Sequence, residues 1–162
     1  RMSQAPQPKR FRYQAGTLGD LPAAERYDAI LYIDVLEHIA EDGEEVARAS
    51  ERLKPGGRLI VLSPAYPWLF SPFDAHIGHH RRYTLGALKR LTPAGCRVER
   101  GFYLDSVGMG ASAANRLLLR ASLPTAKQIA FWDRVLVRAS RWIDPLVMYR
   151  LGRSVVIVWQ KG

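Results

Sequence analysis

Two apolar runs joined by one capped helical stretch constrain this chain more than any other feature. Tyr27 to Ile33 is almost continuously apolar and leads into Asp34-Val35-Leu36-Glu37-His38-Ile39. Such a run, with little alternation, suits a buried strand of a parallel sheet. Asp34 to Ile39 reads as a strand exit with one helical turn. A helix is predicted from Gly43 to Lys54, with Val46, Ala49, Ser50 and Leu53 facing inward. Asp42 is its expected cap, Glu45 completes a capping-box arrangement, and Pro55-Gly56-Gly57 ends it. Arg58 to Leu62 is the second run. Strand, helix and strand with tight connections make a βαβ unit, so the two strands are expected to be parallel neighbours with a right-handed crossover.

The remaining chain fills in around that unit. Phe11 to Ala15 alternates like a short strand. Ser63 to Tyr83 reads as a long irregular stretch rich in Pro, aromatics and His; such stretches are usually functional or disordered, and the aromatic content argues against disorder. Thr84 caps a short helix through Leu91, and Gly95 ends that segment. Arg97 to Leu104 and Ser154 to Gln160 read as strands. Ala111 to Trp142 reads as helix in two pieces broken at Pro124, and Gly108-Met109-Gly110 as the turn that starts it.

Size points to one domain over residues 1–162, with a helical insert at about 111–150. Cys96 is the single cysteine, which excludes an internal disulfide and a cysteine-based zinc site and fits a reducing cytoplasm. The apolar stretch 59–73 is too short and too broken by proline to span a bilayer. Net charge is +9 but uneven: residues 1–60 carry 9 Lys/Arg against 10 Asp/Glu, and residues 61–162 carry 15 against 5. A basic C-terminal part suits an anionic partner, or is simply a solvated surface.

The string Tyr27-Asp28-Ala29-Ile30…Asp34-Val35-Leu36-Glu37-His38-Ile39…Leu53-Lys54-Pro55-Gly56-Gly57-Arg58-Leu59 resembles class I S-adenosylmethionine (SAM)-dependent methyltransferases. In that family the first piece opens the fourth strand and the proline-glycine turn leads into the fifth. Asp74…Gly78-His79-His80-Arg81-Arg82-Tyr83-Thr84, with Gly152-Arg153-Ser154 before the last strand, is similar to a subgroup with a GH-x-RRYT segment. The resemblance implies an α/β, partial Rossmann-like fold: a mostly parallel sheet with an antiparallel last strand, lacking the family's first two strands. The family's Gly-rich SAM turn is not found ahead of Tyr27. The chain therefore reads as a truncated, C-terminal two-thirds of such an enzyme, inactive alone.

The resemblance implies SAM as cofactor, with two contact segments. Gly16-Thr17-Leu18 corresponds to the family's adenine-contacting turn, or is a plain turn. Ile33-Asp34-Val35 follows the fourth strand, where family members contact the methionine moiety and face the acceptor; alternatively Asp34 only caps the next turn. Asp34, Glu37 and His38 share one face of a helical turn. They resemble the divalent-cation ligands of ubiquinone-pathway O-methyltransferases and small-RNA 2′-O-methyltransferases, with His79 as the downstream ligand. Three readings stay open: a cation on Asp34, Glu37, His38 and His79; a metal-free site with His79 or His38 as the base; or histidines that only pack. His38 and His79 are expected to approach each other across the strand ends. His76, His79, His80, Arg81 and Arg82 form a cationic cluster that either clamps an anionic or small-molecule acceptor or pins the loop to acids such as Asp74.

Two other functions compete: a non-catalytic remnant or interaction module of the same fold, and a basic module binding nucleic acid or a membrane surface. No recognition motif for a specific nucleic acid is present. The basic helices at 111–150 could form a lid, a dimer contact or a membrane-surface contact. No motif identifies the acceptor.

Overall fold

The computed structural model describes residues 14–114 and 132–162. Four strands, β1 (Tyr27–Ile33), β2 (Leu53–Pro64), β3 (Cys96–Leu104) and β4 (Ser154–Lys161), form one sheet in the order β1-β2-β4-β3. β1 and β2 are parallel, with Ile30 opposite Leu59 and Ile33 opposite Leu62. β4 runs antiparallel to both β2 and β3. Three strands therefore point the same way and end at one edge of the sheet, and β4 starts there. The fold is the partial Rossmann-like α/β arrangement that the sequence implied.

One face of the sheet is covered by α1 (Asp42–Glu51) and α3 (Leu85–Arg90). Val46, Ala49 and Leu88 pack there against Leu59, Val61, Val155, Ile157 and Trp159. Trp159 is fully buried, and its indole N–H donates to Thr92 Oγ1 at 3.0 Å, so its one polar atom is satisfied. Thr84 caps α3 by accepting from the Ala87 N–H at 3.1 Å. The expectation that β1 is a buried strand is corrected: none of its residues is fully buried, and Ile30 and Tyr32 are only partly buried against the core. Leu31 and Ile33 on the other face are 56% and 55% exposed, because among the described residues no helix covers them.

Three local expectations are corrected. α1 ends at Glu51, before the Pro-Gly-Gly turn. The chain rejoins the sheet at Leu53, opposite Tyr27, loops out through residues 54–57, and resumes pairing with Arg58 opposite Ala29. Gly57 closes that excursion: a β-carbon there would lie 2.9 Å from the Lys54 carbonyl and 3.1 Å from that of Tyr27. Asp42 does not cap α1. It is the helix's first residue, and its carboxylate accepts from Tyr83 Oη at 2.7 Å and Arg81 Nη1 at 2.8 Å. Glu45 bonds Tyr32 and Arg48. The stretch after β2 is not wholly irregular: it holds a 3-10 turn at Pro67–Leu69 and a short helix, α2 (Pro72–His76).

α4 (Ser106–Ala114) starts ahead of the expected insert, so Gly108-Met109-Gly110 lies in its first turns. A π-turn, Trp132–Leu136, leads into α5 (Val137–Leu146). Ser140 Oγ ties α5 inward by donating to Asp105 Oδ1 at 2.7 Å. Asp144 accepts from the backbone N–H groups of Asp105 and Ser106, each at 2.9 Å. The expected strand at 11–15 falls largely outside the described residues, and Gln14 and Ala15 are not in a strand. The break at Pro124 lies outside them. No helix among the described residues is long and apolar enough to cross a membrane.

Candidate active site

The three same-direction strands all leave the sheet through a left-handed, non-glycine residue. Asp34 after β1 has φ 51°, Tyr66 after β2 has φ 61°, and Asp105 after β3 has φ 64°. Aspartate tolerates this region, whereas tyrosine there is strained and must be held by its surroundings. Tyr66 is held by its N–H to the Tyr83 carbonyl at 2.8 Å and by stacking on Tyr103, with ring centroids 5.1 Å apart. These exits shape the edge where ligands sit in open α/β sheets.

Asp34 turns the chain into a 3-10 turn, Leu36–His38. Its N–H still reaches the Leu62 carbonyl at 3.0 Å, so the strain sits where the ladder ends. The turn buries Leu36 and Glu37 completely and leaves His38 exposed. One Glu37 oxygen, Oε2, accepts from Ser63 Oγ on β2 at 2.9 Å. The other, Oε1, is buried without a hydrogen-bond partner. Burial pushes the Glu37 carboxyl above its ordinary value, against its own backbone N–H and the Ser63 hydroxyl.

The segment after α2 folds back over this turn. The His80 N–H donates to the Glu37 carbonyl at 2.8 Å, and His38 Nδ1 lies 3.2 Å from the Gly78 carbonyl. The His38 and His79 rings meet edge to face, with centroids 4.6 Å apart. His79 Nε2 is 3.8 Å from Glu37 Oε1. On the opposite side of the ring, His79 Nδ1 lies 3.0 Å from Asp74 Oδ1. Asp74 is buried, and Arg82 grips it with Nε to Oδ1 at 2.9 Å and Nη2 to Oδ2 at 3.0 Å. Burial alone would raise the Asp74 carboxyl; hydrogen bonds from Arg82 and Ser71 overcome it and hold the group below its ordinary value. An Asp74 carboxyl held below its ordinary value favours the carboxylate, which fixes the His79 ring and suits a proton on Nδ1, with Nε2 on the side of Glu37.

Ligand atoms of Glu37, His38 and His79 all lie within 4.8 Å of one another, and these three make a group that could hold a cation. Asp34 is outside that group but is coupled to it. Burial raises its carboxyl, while His79, Arg153 and His38 pull it down. Gly16 and Thr17 are exposed, and Leu18 is turned partly into the core. Thr17 is locked by its own turn, with backbone and side chain both donating to Asp20. Ile33, Asp34 and Val35 are exposed at the edge. The cationic cluster is largely committed to structure, with Arg81 on Asp42 and Arg82 on Asp74. His76 and His80 are exposed. Sequence reasoning missed Ser63 as the partner of Glu37 and Arg153 as a neighbouring charge. The signal for Asp74 was its spacing to His79 and Arg82.

The family model described as "Methyltransferase domain" matches residues 1–61. The ubiquinone biosynthesis O-methyltransferase of Azorhizobium caulinodans is 42% identical over 53 residues, 32% of this chain and 21% of that protein. An uncharacterized protein of Mycobacterium tuberculosis is 30% identical over 137 residues, 84% of this chain and 43% of that protein. The chain thus spans less than half the length of these curated relatives. A SAM-dependent methyltransferase structure from Archaeoglobus fulgidus superposes with a TM-score of 0.45 at 14% identity, over 85% of this chain and 60% of that one. The family match over residues 1–61, the βαβ unit and the strand-exit turn that carries Asp34, Glu37 and His38 agree with one another: the first part of the chain is similar to the methyltransferase domain, and its strands fit that likeness.

Proposed function

We propose that this protein transfers a methyl group from SAM to a hydroxyl of an acceptor, with His79 as the proton acceptor. The observation that carries this reading is the line Asp74–His79–Glu37, where the segment after α2 folds over the turn that follows β1, with a carboxylate on one ring nitrogen and the other on the side of the strand-exit turn. Exposed Ile33 and Val35 beside the Asp34 carboxylate offer an apolar and anionic surface that suits a sulfonium-bearing amphiphile. Bound SAM supplies the methyl electrophile. The chain's own residues orient and deprotonate: Asp74 Oδ1 keeps the proton on His79 Nδ1, and His79 Nε2 takes the acceptor's proton. Glu37 then stabilises the resulting imidazolium across 3.8 Å. The relatives named for O-methyl transfer support a hydroxyl as the acceptor group.

A second reading is favoured by the unpartnered Glu37 Oε1. A buried carboxylate oxygen without a donor is costly, and a divalent cation on Glu37, His38 and His79 would satisfy it. A cation there would lower the pKa of a bound hydroxyl. Asp74 on the far nitrogen of His79 is the carboxylate support that metal-binding histidines commonly have.

Two measurements on the full protein test and separate these readings. His79→Ala is expected to lower turnover about 10²- to 10⁴-fold with SAM affinity unchanged. Unchanged turnover removes His79 from the chemistry. For the cation, the melting temperature of chelator-treated protein is followed as Mg²⁺, Mn²⁺ or Zn²⁺ is added. A rise in the wild type that is absent in Glu37→Gln selects the second reading. No rise, with activity surviving chelation, selects the first.

A further inference from the structure

Helix α5 turns a row of side chains outward that a water-facing helix would not carry. Ser140 and Asp144 hold its inner side against α4 and the end of β3. Opposite them, Arg138, Trp142 and Leu146 follow at spacings of four and so form one row. Trp142 is 82% exposed and Leu146 80%. The turn after the helix continues the surface, with Met148 62% exposed and Tyr149 and Leu151 also exposed. Arg134, Arg138, Arg141 and Arg150 are exposed around it. From Arg134 to Leu151 the sole carboxylate is Asp144, which is buried on the inner side. From Arg134 to Leu151 the exposed surface therefore combines apolar side chains with charges that are all cationic.

We propose that this face docks the protein on an anionic lipid surface. Both halves of the face argue for that occupant. The apolar side chains protrude from the helix, with Trp142 and Leu146 almost fully exposed, so they suit a deformable apolar layer. Tryptophan prefers the level of lipid headgroups, where its ring is apolar and its N–H stays wet. Long arginine side chains reach headgroup phosphates while their stems stay beside the apolar row. The helix is too short to span a membrane, so the contact is peripheral.

The docking face also lies beside the ligand edge of the sheet. The Tyr103 N–H on β3 donates to the Tyr149 carbonyl at 2.8 Å, and the Arg153 N–H donates to the Asp105 carbonyl at 3.0 Å. The segment following α5 is thus pinned to the end of β3, on the same edge as Asp34 and Tyr66. Docking there holds that edge close to the lipid.

The test is co-sedimentation of the full protein with phosphatidylcholine vesicles, with and without phosphatidylglycerol. It needs neither SAM nor acceptor, so it succeeds or fails separately from the methyl-transfer reading. Binding is expected with the anionic vesicles, weak with neutral ones, and reduced by added salt. Arg138→Glu with Arg141→Glu is expected to weaken it about tenfold or more. Trp142→Ala with Leu146→Ala is expected to do the same, with an unchanged melting temperature because these side chains are exposed. No binding to anionic vesicles overturns the proposal, as does binding that neither variant pair changes. A wild type that self-associates, becomes monomeric in Trp142→Ala/Leu146→Ala and ignores vesicles overturns it in favour of a second copy as occupant.

Discussion

Glu37 is the residue with the most at stake. It is fully buried, one oxygen is held by Ser63, and the other has no donor. Its folded-state carboxyl sits above the ordinary value of 4.5, so the native protein holds this proton more tightly than the unfolded chain does. Stability is then lost as pH rises through the range above that value, because the unfolded state ionises first. Glu37→Gln keeps an acceptor for Ser63 and replaces the orphan oxygen with a donor facing His79. It is expected to be as stable as wild type at low pH and more stable, by about 1 kcal/mol, at neutral pH in the absence of added cation. Thermal melts across pH check both the sign and the window. Asp74 behaves in the opposite way. Its carboxyl is held down by Arg82 and Ser71, so it stays ionised and anchors His79 throughout the pH range in which Glu37 changes.

At the scale of elements, the junctions position the site. Each strand end is fixed by a donor or acceptor far away in sequence: Asp34 N–H by Leu62, Tyr66 N–H by Tyr83, and Arg153 N–H by Asp105. The backbone packs tightly where β4 begins beside the end of β3. A β-carbon on Gly152 would fall 2.1 Å from the Leu104 carbonyl oxygen, an atom of the backbone that cannot swing aside. Gly152→Ala is therefore expected to destabilise by about 1–3 kcal/mol and to loosen the turn that holds Arg153. Calorimetry on the pure variant measures the loss. Wild-type stability in that variant would mean that the two strands can separate there without cost.

At the scale of the whole molecule, the described residues cover one face of the sheet and leave part of the other exposed. α1 and α3 close the first over Leu59, Val61, Ile157 and Trp159, and stability resides there. Trp159→Ala is expected to cost about 3–5 kcal/mol, because it opens a cavity and leaves Thr92 without its donor. A denaturant titration with an unchanged slope would confirm a loss of packing without a change in the folded surface. The second face exposes Leu31 and Ile33, and α5 exposes Trp142 and Leu146. The rigid core and the apolar exposed surface are thus segregated. The ligand edge lies between them.

The sequence alone determined the βαβ unit, the parallel direction of its strands, the cap of α3, and the inward face of α1. Each depends on residues a few positions apart, where periodicity and turn chemistry act directly. The family resemblance joined His38 to His79, and the rings do meet, with centroids 4.6 Å apart. Tertiary structure decided which acid serves which base. Asp42 had every local qualification as a helix cap, yet it binds Tyr83 and Arg81, about forty residues downstream, because the folded-back loop offers charged and phenolic donors stronger than its own helix's N–H groups. Arg81 and Arg82 read either as a clamp for an acceptor or as pins to acids such as Asp74, and folding brings Asp42 and Asp74 against them. Ser63 and Glu37 are 26 residues apart, and the bond between them forms only once β1 and β2 are in register. Local pattern carries the elements because a helix or strand is chosen residue by residue. Pairing at the site is chosen by which elements end at the same edge, and no local period encodes that.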